Sequence, residues 1–221
     1  STATIGRILA GGSTLDPVEQ SRFVLARYQA NGALDTSFGT GGYVIADYSP
    51  GSEDMLDDLT VLADGRILAA GYVRHPATGA GSFQLMRFNA DGSLDATFGT
   101  GGKSAPALPI PGSDAWPYTM AMQADGRVLL AGYGNNHNLS LIARYNGDGS
   151  LDTTFGGGGV VAFQAGISTG DIRGLAIQSD GRIVAAGSAV VLDPLGGGDY
   201  AFAIIRYNTD GALDGSFGAG G

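Results

Sequence analysis

The chain has 221 residues, a net charge of −9 with 12 Lys and Arg, and no cysteine. Absent cysteine excludes disulfides, thiol chemistry and Cys-ligated zinc. The acidic balance without a basic stripe argues against nucleic acid and anionic membranes as partners. Hydrophobic residues make up 43%, enough for a substantial core, and the 39 glycines imply many turns. No apolar run reaches 18 residues, so no membrane insertion is expected. No signal peptide is visible, and the start at Ser1 rather than Met points to a processed or trimmed product.

Two phrases alternate along the chain with a period of about 60 residues, so repeats take precedence over other readings. Repeat 1 (about 1–50) opens on "TIGRILAGGS" from Thr4, a degenerate copy with Ile5-Gly6 where the others have Asp-Gly. Its first strand is therefore poor or absent. "QANGALDTSFGTGG" follows from Gln29, then a fourth strand, "GYVIADY", at 42–48. Repeat 2 (about 51–111) holds the full set. "LTVLA" (59–63) is a strand, Asp64-Gly65 a two-residue hairpin turn, and "RILAAGYV" (66–73) the second strand. "SFQLMRFN" (82–89) alternates as a third strand, and the phrase "NADGSLDATFGTGG" from Asn89 leads to a fourth. Repeat 3 (about 112–167) carries "ADGRVLLAGY" from Ala124, "NGDGSLDTTFGGGG" from Asn146 and a fourth strand at 159–165. Repeat 4 (about 168–221) carries "SDGRIVAAGS" from Ser179 and "NTDGALDGSFGAGG" from Asn208, with no fourth strand after it. The total is about 14 strands, or three and a half blades. Because an open sheet edge leaves backbone groups unpaired, a homodimer, a larger assembly or a longer parent chain is expected.

The Arg before each phrase (Arg27, Arg87, Arg144, Arg206) sets the spacing at 60, 57 and 62 residues. Within the phrase, Leu94 and Phe98 are four apart. One helical turn would plug both into the core, with Gly99 as its left-handed exit. The same holds for Leu34/Phe38, Leu151/Phe155 and Leu213/Phe217. The phrase then reads as a structural joint, with Arg87 and Asp95 pairing across it. Its rival is a calcium loop, since Asn89, Asp91, Ser93 and Asp95 place oxygens at alternate positions. That pattern fails at the sixth-place glycine and the twelfth-place glutamate, so the short polar side chains are assigned to the turn's own backbone. No cofactor is expected, with calcium the one candidate.

Four hairpin-joined strands per repeat fit an all-β propeller, a single domain over 1–221. The recurring phrases resemble the delta-60 repeat, a bacterial β-propeller repeat of unassigned function, over nearly the whole chain. The resemblance implies a large secreted or surface protein, hence an extracellular or cell-surface location, and it transfers no catalytic residue.

The Asp-Gly-Arg turns and the joints fall at one end of the blades, and both are stereotyped. The other end holds the variable loops, where binding is expected. Its candidates are Glu53, Asp54, Asp58, His75, Asp114, Trp116, His137 and Asp171, with Asp57 beside them. Trp116 and the tyrosines offer stacking surfaces for sugars, against the alternative of ordinary core aromatics. "GISTG" (166–170) spells a hydrolase elbow but lacks a following helix. Two functions remain: a non-enzymatic scaffold or binding module for a protein or glycan ligand, and a propeller-type lyase or metal-dependent hydrolase using loop acids and His. Convergence or scatter of those acids distinguishes them.

Overall fold

A computed structural model describes residues 6–15, 21–107, 114–134, 139–163, 168–192, 198–218 and 220–221. Every element in it is a strand. The strands are β1 (Ile8–Leu15), β2 (Ser21–Tyr28), β3 (Tyr43–Ala46), β4 (Glu53–Val61), β5 (Ile67–Arg74), β6 (Gly81–Phe88), β7 (Ala115–Met122), β8 (Val128–Gly134), β9 (Leu139–Tyr145), β10 (Val160–Phe163), β11 (Ser168–Ile177), β12 (Ile183–Leu192) and β13 (Gly198–Tyr207). They form four antiparallel sheets in chain order: β1–β3, β4–β6, β7–β10 and β11–β13.

Among the described residues there are thirteen strands where about 14 were expected. The difference is the fourth strand of repeat 2. There Met86–Lys103 and Phe83–Ala107 make only isolated bridges. Pro106 has no N–H to donate, so the segment cannot carry a continuous ladder. The expected poor first strand of repeat 1, at 1–5, lies outside the described residues.

The hairpin turns are longer than the two residues expected from Asp-Gly. In repeat 2 the Gly65 N–H donates to Leu62 O and the Leu62 N–H to Arg66 O. Only Gly65, at φ +86°, needs the left-handed region. This is a three-residue loop with a glycine bulge. The same pattern closes the joint, where Gly92 N–H donates to Asn89 O and Asn89 N–H to Ser93 O. The two recurring phrases thus begin with one and the same turn.

The joint itself is a series of turns, not a helical turn. Asp95 organises it: its Oδ1 accepts from the Thr97 N–H (3.0 Å) and hydroxyl (2.6 Å), while its Oδ2 takes Arg87 Nε at 2.7 Å. A second arginine, Arg66 from the Asp-Gly-Arg turn, reaches the same Oδ2 at 3.1 Å. Repeats 1, 3 and 4 repeat the pair with Arg27 and Arg7 on Asp35, Arg144 and Arg127 on Asp152, and Arg206 and Arg182 on Asp214. The expected Arg–Asp pairing is present, and the two stereotyped features do share one end.

Phe98 is buried, as are Phe38 and Phe155. Leu94 is not: at 36% exposed it bridges Phe88 at the blade's edge and covers Gly102. The i, i+4 spacing does not place both on one face, because the segment never becomes helical. Leu34 and Leu213 are exposed in the same way.

Each joint also ties its blade to the next. The Arg27, Arg87 and Arg144 guanidinium Nη1 atoms donate to Ala90, Gly147 and Thr209 carbonyls one repeat on, at 2.5, 2.8 and 2.5 Å. The Gly39, Gly99 and Gly156 N–H groups donate to Asp91, Asp148 and Asp210 carbonyls. Phe38, Phe98 and Phe155 lie under Gly92, Gly149 and Gly211, where a Cβ would collide with the ring. Three apolar clusters fill the spaces between sheets one and two, two and three, and three and four. Among the described residues no such cluster joins the fourth sheet to the first, so the four blades form an open run.

The four joint carboxylates make the fold acid-sensitive. Hydrogen bonds from Ser37, Thr97 and Ser216 and the adjoining arginines hold Asp35, Asp95 and Asp214 below the usual carboxylate range. At Asp152 burial pulls upward, but Thr154 and Arg144 outweigh it. A folded-state pKa below the unfolded one gives stability that is complete above the unfolded value of about 3.9 and is lost as pH falls through the folded value. Urea midpoints should therefore hold from pH 8 to 5 as far as these groups are concerned, and drop steeply below pH 4. An unchanged midpoint at pH 2.5 would contradict the assignment.

Candidate functional site

β11 carries a register shift between Ser168 and Gly170 that β4 and β7 lack, but the first strands of blades 2, 3 and 4 share one bulge. It falls between Leu56 and Asp58 in β4, between Pro117 and Thr119 in β7, and between Ile172 and Gly174 in β11. The residues left without a cross-strand partner are Asp57, Tyr118 and Arg173, equivalent positions in three successive repeats. A bulge twists its strand and re-aims the side chain it carries. The partner strand supplies the room. A Cβ at Gly71, Gly132 or Gly187 would sit 2.0, 1.9 or 1.8 Å from the carbonyl oxygen of Met55, Trp116 or Asp171. The glycine in "AAGY", "LAGY" and "AAGS" is the sequence's trace of the bulge opposite.

The three bulge residues belong to one continuous row of contacts at the variable end. Trp116 Nε1 donates to Asp57 Oδ1 at 3.4 Å. Trp116 stacks on Tyr72 of the preceding blade, centroids 4.0 Å apart and planes 12° from parallel. The Tyr133 ring lies parallel to Trp116 with centroids 6.5 Å apart, and Tyr118 tilts against Tyr133 at 5.4 Å. Arg173 caps the Tyr118 ring at 4.3 Å and donates from Nη2 to Asp171 at 2.6 Å. A carboxylate, four aromatic rings and a guanidinium thus run across three blades.

Asp57 stands out electrostatically. The residue is exposed, yet crowding of its carboxyl by neighbouring atoms pushes it up to about 7; Asp58 adds to the rise and the Trp116 N–H opposes it. Burial first, and Asp114 second, push the Tyr72 hydroxyl up to about 12, so it stays a donor.

Most of the acids singled out in the sequence serve the frame. Asp58 accepts from the Met120 N–H of the next blade and from Leu59, both at 2.8 Å. Asp114 accepts from Gly81 N–H at 2.9 Å. Asp54, fully buried, accepts from Tyr48 N–H, and burial raises its pKa. Glu53 faces Arg74 at 3.6 Å on the surface. Asp171 is buried against the Ser188 hydroxyl and Arg173, which outweigh the upward pull of burial and hold it low. These acids scatter over three blades. Among the described residues no three His, Asp or Glu come together as a metal group.

His75 makes a 2.8 Å contact from Nε2 to Ser82 Oγ, and Gln84 donates to the same hydroxyl. The pair has the geometry of a nucleophile and its base, but Ser82 is fully buried among the described residues. His137 and the first two residues of "GISTG" lie outside the described residues. Ser168 opens β11, so no strand–turn–helix elbow forms.

Clefts of about 480 and 500 Å³ sit at the opposite end, between joints. They are lined by the repeated turns and arginines, such as Arg27 with Ala90 and Arg144 with Asp210. Both are seams between blades with the same lining, not a site distinctive to one place. Arg173 was not singled out in the sequence, and the tyrosines only as a group, because a bulge is a mismatch between two strands and neither strand announces it alone.

The model of the domain of unknown function DUF5122, a β-propeller, matches the chain at residues 6–38, 62–98, 123–155 and 178–217. Each match opens at or just before a turn-plus-arginine and closes in the following joint. No curated protein matches the chain.

Proposed function

Because this chain belongs to the DUF5122 β-propeller family, in which the delta-60 type of repeat recurs here four times, we propose that it is a non-enzymatic binding module whose ligand face is the aromatic row at the variable end. One observation carries the reading. Three equivalent bulges, built by the same glycine device, present three chemically different side chains, Asp57, Tyr118 and Arg173, to one row. The approaching carbonyl fixes the glycine, while the bulge residue is free to differ, and here the three differ in a way that completes one row of contacts. An acceptor, aromatic edges and a fixed cation suit a polyhydroxylated ligand, which offers donors, acceptors and apolar C–H faces together. A glycan is the ligand class we assign, and the resemblance to repeats of large secreted and surface proteins supports an extracellular place for such a module.

The test is a glycan array on the 221-residue chain, followed by calorimetry on the best hit with Trp116→Ala and Arg173→Ala. Each variant is expected to weaken binding at least about tenfold, the order of one lost hydrogen-bonded or stacked contact, while the urea midpoint stays near that of the parent. An array without hits, or variants that bind like the parent, would remove the row from the function.

A further inference from the structure

The two ends of the run of blades carry complementary halves of the contact that joins every inner pair. On the side of each blade that faces the next, a row of three residues is buried: Phe23, Leu25 and Arg27 in blade 1, Phe83, Leu85 and Arg87 in blade 2, Ser140, Ile142 and Arg144 in blade 3. In blade 4 the same row is Phe202, Ile204 and Arg206, and there Phe202 is 76% and Ile204 46% exposed. Phe217, the equivalent of the buried Phe38, Phe98 and Phe155, is only half-buried. The Arg206 Nη1 and Gly218 N–H, whose equivalents all donate across to the next repeat, have no such acceptor among the described residues.

The side of each blade that faces the preceding one repeats in the same way. Ile67, Ala69, Met86 and Phe88 in blade 2 are buried, as are Val128, Leu130, Ala143 and Tyr145 in blade 3 and Ile183, Ala185, Ile205 and Tyr207 in blade 4. In blade 1 the row is Ile8, Ala10, Ala26 and Tyr28; Ile8 is 56% exposed and the rest are exposed or half-buried. Beside it, the carbonyls of Ala30 and Asn31 occupy the positions that accept from the preceding joint in the other repeats. They accept no such bond among the described residues. Gly32, the counterpart of the glycines that cover Phe38, Phe98 and Phe155, has open space over its Cβ position.

We infer that the outer face of blade 4 docks on the outer face of blade 1 of a second copy of this chain, and that two copies do so reciprocally to close one ring. The occupant follows from continuity with the three inner interfaces. Only a surface with an Ala30-type carbonyl, an Asn31-type carbonyl and an uncovered glycine in register satisfies Arg206, Gly218 and Phe217 at once. Among the described residues one such surface stands unmatched, on repeat 1, and no apolar cluster joins it to the fourth blade. Reciprocal docking is head to tail, and it closes after two copies at eight blades, within the ordinary range for propellers.

Light scattering during gel filtration of the 221-residue chain tests this, and its outcome is independent of any glycan. The expected mass is twice 22.3 kDa. Phe202→Asp and Ile8→Asp, both at exposed positions, should each give a folded monomer, with circular dichroism like the parent's. Mixing the two variants should restore a species of twice the chain mass, because one sound pair of faces remains between them. A parent of 22.3 kDa at every concentration, leaving these faces to further repeats, would overturn the inference. So would a mass that grows without limit, or an Ile8→Asp variant that stays dimeric, as a tail-to-tail contact would. Should either variant fail to fold, protection of the Gly218 amide from hydrogen exchange in the parent decides. Fast exchange there contradicts docking.

Discussion

Phe98→Ala is expected to cost about 3–5 kcal/mol in urea or guanidinium melts, the range for removing a large aromatic from a packed core. Phe98 is 1% exposed, its ring takes the Arg87 guanidinium on one face at 4.5 Å, and its rim fills the space over Gly149 of the next repeat. Truncation leaves a cavity at an interface between two blades, where backbone turns on both sides are held by hydrogen bonds and cannot collapse into it. Leu94→Ala is the contrast, since Leu94 lies at the edge and its loss should cost much less. A loss under about 1 kcal/mol for Phe98→Ala would mean that the joint is not part of the core, because full burial of such a side chain is worth more than that.

Arg87→Ala is expected to cost about 3 kcal/mol, the lower end of the range for breaking a buried pair, because it removes one of two arginines on a buried carboxylate and Arg66 still reaches the same oxygen at 3.1 Å. The Arg87–Asp95 pair is nearly sealed from water. One guanidinium there serves four neighbours: Asp95, the Thr97 hydroxyl, the Gly147 carbonyl of the next blade and the Phe98 ring. Arg87→Lys should recover only part of the loss. A single ammonium is a compact point charge and cannot reproduce the planar fork and the stack together. Full recovery with lysine in the same melts would reduce the arginine to a simple charge and contradict this geometry.

The parts of this fold that could be read from sequence are those that depend on neighbours close along the chain. The "ADGR" and "NADG" turns, the left-handed Gly99 and the Arg87–Asp95 pair each involve residues no more than eight apart. Their fourfold recurrence made each reading check the others. Leu94 was misread because its spacing from Phe98 means one face only if the segment is helical, and Asp95 instead turns the chain through Thr97. The fourth strand of repeat 2 was overcounted because its register in the repeat predicts a strand, while Pro106 cannot donate to a ladder. At the candidate site, the acids were visible but their duties were not. Asp58 and Asp114 look free in sequence, yet each is spent on a backbone N–H that only the folded chain brings near. Asp57, Tyr118 and Arg173 stand at one position of the repeat, each seven residues before the aspartate of an Asp-Gly-Arg turn, but they share a bulge and not a residue type, so no sequence pattern marks them as a row.

Hydrogen exchange at the Gly39, Gly99 and Gly156 amides tests most directly that the repeated phrase is a joint between blades. Each of these N–H groups donates to a carbonyl of the following repeat, to Asp91, Asp148 and Asp210. The account predicts that all three exchange only through cooperative unfolding, with protection matching the global stability measured by urea, while the Gly101 amide in the exposed exit of the same phrase exchanges at close to the free-chain rate. Exchange at Gly39, Gly99 and Gly156 as fast as at Gly101 would contradict it, and would return the phrase to the surface as a loop free to bind something else.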